Sequence, residues 1–298
     1  MKILTQKLIS YITEKNPLQK KYLENSIEAL SLQEKEGFEN LLFILQQNGN
    51  SITLQAEGYL TMVQDVLVQS KFFMENHRYR YNKLSEVEDR VYNNRDYMNK
   101  YMLGLTLSNY LWTNHRKMLA WFEALILKTS GKSYLEIGPG YGQYFLKAIQ
   151  NESLNEFSVV DLSETSLNGF KSILKYYNAD IECNIYHENF LCFNHDQKYD
   201  IVVAGEVLEH VEEPELFIKK IHGLTHKESR IFLTTAINAP AIDHIYLFDS
   251  IDAVTSLTTL CGFEVLDMCC VSGNGKSLEI AQKKKTAINI SLLLQQKQ

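Results

Sequence analysis

Proline is scarce in this chain, and glycine is thin before residue 131. Its 298 residues hold four prolines, at positions 17, 139, 214 and 240. Nothing between Pro17 and Pro139 forces a helix to stop, so long uninterrupted helices are allowed there. Five cysteines occur, an odd number, with no CxxC pair. That excludes a disulfide framework and a paired-cysteine zinc site, leaving reduced thiols as the reading. No run approaches the roughly 20 apolar residues that cross a bilayer. The N-terminal MKILTQKLISYITEKN has no apolar h-region and no small-residue cleavage site, so no signal peptide is read and a cytoplasmic protein is expected. Basic charge is not in excess either: the net charge is −6 and the pI about 5.8. Affinity for duplex nucleic acid rests on phosphate neutralisation, so an acidic chain argues against that partner.

What is present divides the chain in two. Apolar residues recur at helical spacing over Tyr22–Ser31, Phe38–Gln47, Leu54–Phe73 and Tyr97–Ile126, predicting an all-helical region over residues 1–125. Past Ser130-Gly131-Lys132 the pattern changes. Short apolar runs at Tyr134–Ile137, Phe157–Val160, Ile181–Tyr186, Ile201–Ala204, Arg230–Thr234 and Phe263–Cys270 read as strands. Helical patterns at Tyr144–Gln150, Ser166–Tyr177 and Pro214–His222 alternate with them. This alternation predicts a parallel sheet with helical crossovers over residues 126–298. A last strand is expected at Ser277–Ala281, after the turn at residues 272–275, with a helical or frayed tail beyond Lys283-Lys284-Lys285.

The segment Tyr134-Leu135-Glu136-Ile137-Gly138-Pro139-Gly140-Tyr141-Gly142 runs from a strand into a glycine loop and then a helix. Glycines let a backbone approach a ligand closely, and the helix N-terminus offers free N–H groups. A dinucleotide site and an S-adenosylmethionine site both fit this logic. The dinucleotide fingerprint G-x-G-x-x-G is not met, because its last position holds Gln143. Glu136 ahead of the loop fits the methyl-donor version better. Asp161 ends the second strand run, 19 residues after Gly142. A carboxylate there can accept both ribose hydroxyls, or alternatively cap a helix. At His187-Glu188-Asn189-Phe190 a polar side chain reaches an adenine edge and an aromatic ring flanks it, or the chain simply leaves the strand.

The run Tyr199-Asp200-Ile201-Val202-Val203-Ala204-Gly205-Glu206-Val207-Leu208-Glu209-His210-Val211-Glu212-Glu213-Pro214 completes the pattern. With the glycine loop and Asp161 it resembles the class I S-adenosylmethionine-dependent methyltransferases, and among them the ubiquinone-biosynthesis O-methyltransferases and their small-molecule relatives. The resemblance covers about residues 130 to 283 and leaves the helical region unassigned. It implies an α/β fold, a Rossmann-like seven-stranded sheet closed by an antiparallel strand. Glu136, Gly138, Gly140 and Gly142 would surround the methionine and ribose portions of S-adenosyl-L-methionine. Asp161, with Leu162 beside it, would take the ribose. Asn189 and Phe190 would hold the adenine, and Gly205 and Glu206 the far side of the methionine group.

Methyl transfer needs a positioned acceptor and sometimes a base. His210 follows the fourth strand and His244 the fifth, so both are candidate catalytic residues at the mouth of one crevice. Glu206, Glu209 and His210 stand at E-x-x-E-H spacing, which on a helix would share a face. With His244 they make a candidate divalent-metal site, similar to that of the small-RNA 3′-terminal 2′-O-methyltransferases. The run Tyr92–Met102, with Tyr97 as a further cofactor contact, is a candidate lid, and Trp112, Asn114 and His115 candidate pocket residues. The same side chains would equally serve as helix core. A small-molecule acceptor leads. The alternatives are a metal-dependent RNA 3′-terminal 2′-O-methyltransferase and a non-catalytic cofactor-binding relative. No membrane partner is expected, and the apolar N-terminal helices suit a homodimer.

Overall fold

The computed structural model describes residues 2–177, 181–273 and 275–297. Seven helices come first. They are α1 (Ile3–Lys15), α2 (Lys20–Glu28), α3 (Leu32–Gln47), α4 (Ile52–Asn76), α5 (Leu84–Val87), α6 (Arg95–Leu111) and α7 (Thr113–Ile126). Capping explains their starts: Ser31, Ser51 and Asn94 each accept a backbone N–H from the first turn of α3, α4 and α6. The expected helix Tyr97–Ile126 is broken at Trp112, whose backbone is extended. A π-turn at Glu88–Tyr92 joins α5 towards α6, the kind of irregularity often found beside functional sites.

The sheet contains β1 (Ser133–Ile137), β2 (Glu156–Asp161), β3 (Cys183–His187), β4 (Ile201–Gly205), β5 (Arg230–Ile237), β6 (Phe263–Ser272) and β7 (Ile288–Gln296). Its order is β3-β2-β1-β4-β5-β7-β6, with β1 to β5 parallel and β7 antiparallel to both β5 and β6. This is the expected seven-stranded Rossmann-like sheet. Between strands run α8 (Phe145–Ala148), α9 (Glu164–Tyr177), α10 (Pro214–Gly223), α11 (Ile251–Leu260) and α12 (Leu278–Lys283). The period of two sorts side chains to opposite faces. Leu135, Ile137, Val202, Ala204 and Leu233 pack with Phe217, Ile221 and Val254 on one face. Tyr134, Val159, Val203 and Phe232 pack with Phe122, Phe145 and Phe170 on the other.

The C-terminal expectation needs correction. Ser277–Ala281 is not a strand: Ser277 caps α12, accepting the N–H of Ile280. The tail is β7, buried over Ile288–Leu292 between β5 and β6. Asn274 of the expected turn lies outside the described residues. Helix α8 is also shorter than the pattern Tyr144–Gln150 suggested.

The helical layer sits on the carboxyl-end rim of the sheet. Its core, built from residues such as Phe38, Tyr59, Met62 and Leu103, also takes in Tyr141, Ile173 and Ile245 from the sheet side. At the crossing of α4 and α6 two glycines face each other: a Cβ on Gly104 would lie 2.6 Å from the Gly58 carbonyl oxygen. Helix α7 packs with the sheet instead, through Phe122 and Ile126. Among the described residues, no helix is long and apolar enough to cross a membrane.

Candidate active site

β1 ends at Ile137 and the chain enters three glycines with positive φ, Gly138, Gly140 and Gly142 (66°, 57° and 84°). Only glycine holds such angles without strain. Gly138 and Gly140 line a cavity of about 520 Å³ at the carboxyl ends of β1, β2 and β4. Gly142 and Glu136 do not line it. A Cβ on Gly142 would press 2.9 Å from the Phe170 ring, so this glycine serves packing. Glu136 lies beneath the loop, 2% exposed, and accepts the Tyr134 hydroxyl at 2.6 Å. Burial pushes its carboxyl up to about 8.

Asp161 closes β2 at the cavity edge. Its carboxylate accepts the Ser163 N–H and the Ser166 hydroxyl, both at 2.8 Å. Ser166 also donates to the Gly140 carbonyl at 3.2 Å, tying the second strand to the glycine loop. Leu162, Asn189 and Phe190 line the same cavity. Asn189 accepts the Leu191 N–H at 2.9 Å, and Phe190 packs on Phe217 with ring centroids 4.8 Å apart. The roof comes from the helical layer: Leu84, Tyr92, Met98, Tyr101, Met102 and Leu105. Tyr97 is absent from it, because its hydroxyl donates to Asp65 instead.

After β4 the backbone turns sharply. Glu206 is one of few non-glycine residues with positive φ, 54°, a costly conformation that surrounding structure must impose. Its N–H donates to Thr234 Oγ1 at 2.9 Å, and its carboxylate accepts Thr234 Oγ1 at 2.8 Å and Asn289 Nδ2 at 2.6 Å. Leu208–His210 then forms a single 3-10 turn. The expected α-helical face carrying Glu206, Glu209 and His210 therefore does not exist. Glu209, His210 and His244 do converge, each offering a ligand atom within 4.8 Å of the others. Glu206 stands outside this group, held by Thr234 and Asn289.

A second cavity of about 350 Å³ adjoins the first, and Tyr101, Leu105, Glu206 and His210 line both. Met62, Val63, Trp112 and Ile242 supply apolar wall, while Asn114, His115, Glu209, His244 and Asn289 supply polar wall. Trp112, Asn114 and His115, the expected pocket residues, are thus brought together in one cavity wall. No lysine or arginine is found among the described lining residues of either cavity.

The histidines differ in state. His210 Nδ1 lies 3.0 Å from the Asp243 carbonyl and 3.4 Å from the Asp243 carboxylate. A carbonyl only accepts, so in the neutral ring Nδ1 carries the proton and Nε2 keeps the lone pair. Burial alone would lower the His210 pKa, but the Asp243 and Glu209 carboxylates outweigh it and the net shift is upward. The Tyr101 hydroxyl donates to Asp243 at 3.0 Å and steadies that carboxylate. His244 Nδ1 donates to the Ala239 carbonyl at 2.6 Å. Burial and its neighbour His210 lower the His244 pKa. Burial lowers His115 to about 4. Glu209 is fully buried, with one oxygen accepting Thr235 Oγ1 at 2.7 Å and the other, Oε1, without a partner.

Asp243 and Asn289 escaped the sequence reading as site residues. Asn289 had a signal: Ile288-Asn289-Ile290-Ser291-Leu292 alternates like a half-polar strand. Asp243 had none, since its role depends on where the loop after β5 returns.

A methyltransferase-domain family model matches residues 110–266, more than half of the chain. The fold is similar to that of the N-methyltransferase NodS from Bradyrhizobium japonicum WM9, solved with S-adenosyl-L-homocysteine. The TM-score there is 0.54 at 13% identity, covering 70% of this chain and 98% of that one. The small RNA methyltransferase HEN1 gives a TM-score of 0.50 at 20% identity, over 61% of this chain and 25% of that one. At these identities the likeness concerns the fold. No curated protein matches the chain by sequence.

Proposed function

We propose that this chain, which belongs to the class I S-adenosylmethionine-dependent methyltransferases, methylates an oxygen, nitrogen or carbon atom of a small molecule enclosed beneath its own N-terminal helices. The observation that carries this reading is the junction of two cavities at Tyr101, Leu105, Glu206 and His210. One cavity has the furnishing of a cofactor site, and the other is walled jointly by helices and sheet. On the packing of α7, we place the division between the two domains at Trp112 rather than at residue 125.

The residues fit S-adenosyl-L-methionine. Gly138 and Gly140 leave backbone exposed where a Cβ would intrude. Asp161 sits at the cavity edge for the ribose hydroxyls, and Asn189 with Phe190 provides an adenine slot. Gly205 and Glu206 close the methionine side. When bound, the cofactor supplies an electrophilic methyl group on a sulfonium. The protein then has three tasks. Tyr101 and Leu105 confine the acceptor at the junction, so that approach is in line. The helical roof excludes water. His210 receives a proton from the acceptor through Nε2, with Asp243 favouring the charged ring.

A divalent cation is a second reading of the same wall. One unpartnered carboxylate oxygen and two imidazoles are a fitting donor set for a transition metal, although Glu206 is not part of it. Metal analysis of the purified protein, with and without Glu209→Gln, tests that reading. The RNA-terminus alternative gains nothing from a cavity wall without a lysine or arginine among its described residues.

The primary test is calorimetric titration with S-adenosylhomocysteine. Micromolar affinity is expected, with a loss of roughly 100-fold in Asp161→Ala, since a charge-assisted pair of hydrogen bonds to the ribose is removed. A folded wild type that binds nothing would end the proposal.

A further inference from the structure

We infer that the acceptor is an amine on an apolar body, and that its nitrogen is the atom methylated. This rests on the reading that the 350 Å³ cavity receives the acceptor. The described wall of that cavity holds the carboxyl groups of Asp65, Glu206 and Glu209, and neither lysine nor arginine. A carboxylate or phosphate acceptor would face these groups with no lysine or arginine to offset them, and the His210 ring is already matched to Asp243, in a site where water screens poorly.

Charge sign alone would not define a ligand. The second observation is Glu209 Oε1, which is fully buried, unpartnered and set in the wall of this cavity. A buried acceptor left without a donor costs about 1–3 kcal/mol, so a ligand hydrogen is its natural complement. The neighbours do not provide one. Thr235 is committed to the other oxygen at 2.7 Å. His244 Nε2, 3.9 Å away, carries a lone pair because Nδ1 donates to Ala239. His210 likewise directs its Nδ1 proton to Asp243.

A hydroxyl and an amine can both donate to Glu209, but they diverge during transfer. A deprotonated oxygen would develop negative charge against Glu209, whose charge, after burial, already holds the neighbouring Glu206 carboxyl well above the usual range. A nitrogen attacking a methyl group develops positive charge, which the Glu209 carboxylate stabilises in place. Met62, Val63, Leu105, Trp112 and Ile242 accommodate the apolar body. The entering ammonium gives one proton to His210 Nε2. The freed lone pair forms the nitrogen–carbon bond while the carbon–sulfur bond breaks, its electron pair returning to sulfur. The product leaves as the methylated ammonium, and His210 releases its proton to solvent.

The experiment uses the full chain, treated with EDTA and saturated with S-adenosylhomocysteine. Phenyl, cyclohexyl and octyl probes are titrated calorimetrically, each as amine, alcohol and carboxylate. Amines are expected to bind at least about tenfold tighter than the matched alcohols and carboxylates. Glu209→Gln, which keeps an acceptor for Thr235, should erase most of that advantage while leaving alcohol affinity within about threefold. Asp65→Asn, on the acceptor side alone, should reduce it by about threefold. Alcohols or carboxylates matching the amines would overturn the inference. So would an absence of amine binding, an advantage that survives Glu209→Gln, or an alcohol preference that emerges on adding Mn²⁺. Failure of S-adenosylhomocysteine itself to bind would instead remove the methyltransferase reading beneath it.

Discussion

The two cavities are built in different ways. The cavity proposed for the cofactor draws its floor from one stretch of chain, between Ile137 and Phe217, with Asp243 beside it and the helical layer only as a roof. The cavity proposed for the acceptor is assembled from at least five separated stretches, near Gln19, Met62, Tyr101, Glu206 and Asn289. A site made by consecutive strand ends is fixed by backbone geometry and tolerates little drift. A site made where remote elements meet can change its walls while the sheet stays the same. On the function proposed above, the difference would place cofactor recognition in the sheet and acceptor choice in the packing of helices upon it.

The strongest way to break that comparison is to disturb the helical layer at its tightest point. A Cβ on Gly104 meets the Gly58 carbonyl oxygen at 2.6 Å and Met62 Cβ at 2.9 Å. Backbone cannot swing aside as a side-chain tip does, so Gly104→Val is expected to cost about 3 kcal/mol. Urea denaturation measures it. A variant as stable as the wild type would mean that α4 and α6 are not held this closely. The second probe is the link between the cavities. Asn289 accepts Asn114 Nδ2 at 2.8 Å and donates to Glu206 at 2.6 Å. Asn289→Leu fills similar space but strands both partners, for an expected loss of about 2 kcal/mol. An unchanged midpoint would show that the relay carries no energy.

The same contrast governs what could be read from the sequence. The cofactor side was legible because its chemistry is local. Glycines at 138 and 140 need positive φ, and Asp161 stands one strand later at a fixed remove. The helix-to-strand switch near residue 131 was legible from periodicity. The second cavity was legible only in part, through Trp112, Asn114, His115, His210 and His244, because Asp65 and Asn289 join that wall only through tertiary packing. E-x-x-E-H spacing misled on geometry. That spacing implies a helical face, whereas the left-handed Glu206 and a 3-10 turn separate the first glutamate from Glu209 and His210. The tail misled for a simpler reason. Its nine-residue strand alternates polar and apolar only at its start, and Leu292-Leu293-Leu294 reads as well for a helix. Burial on both sides by β5 and β6 decides the matter, and no local pattern encodes that.

The smallest effect is also the sharpest test of the contrast, because the two sides titrate in opposite directions. Glu136, beneath the glycine loop, has its carboxyl raised by burial from 4.5 to about 8. A raised folded-state value means that stability is full below the unfolded value and drains away as pH climbs from 4.5 towards 8. His115, in the acceptor wall, is lowered by burial from 6.5 to about 4. Its contribution is full above 6.5 and drains as pH falls towards 4. Each slope is on the order of 1 kcal/mol per pH unit within its window. The variants separate the two. Glu136→Gln should gain on the wild type progressively above pH 4.5, and His115→Asn should gain below pH 6.5, read as differences in denaturation midpoint across a pH series. Cofactor-side weakening in base and acceptor-side weakening in acid would then be independent. Two difference curves sloping the same way would mean that one of these groups is hydrated in the folded protein.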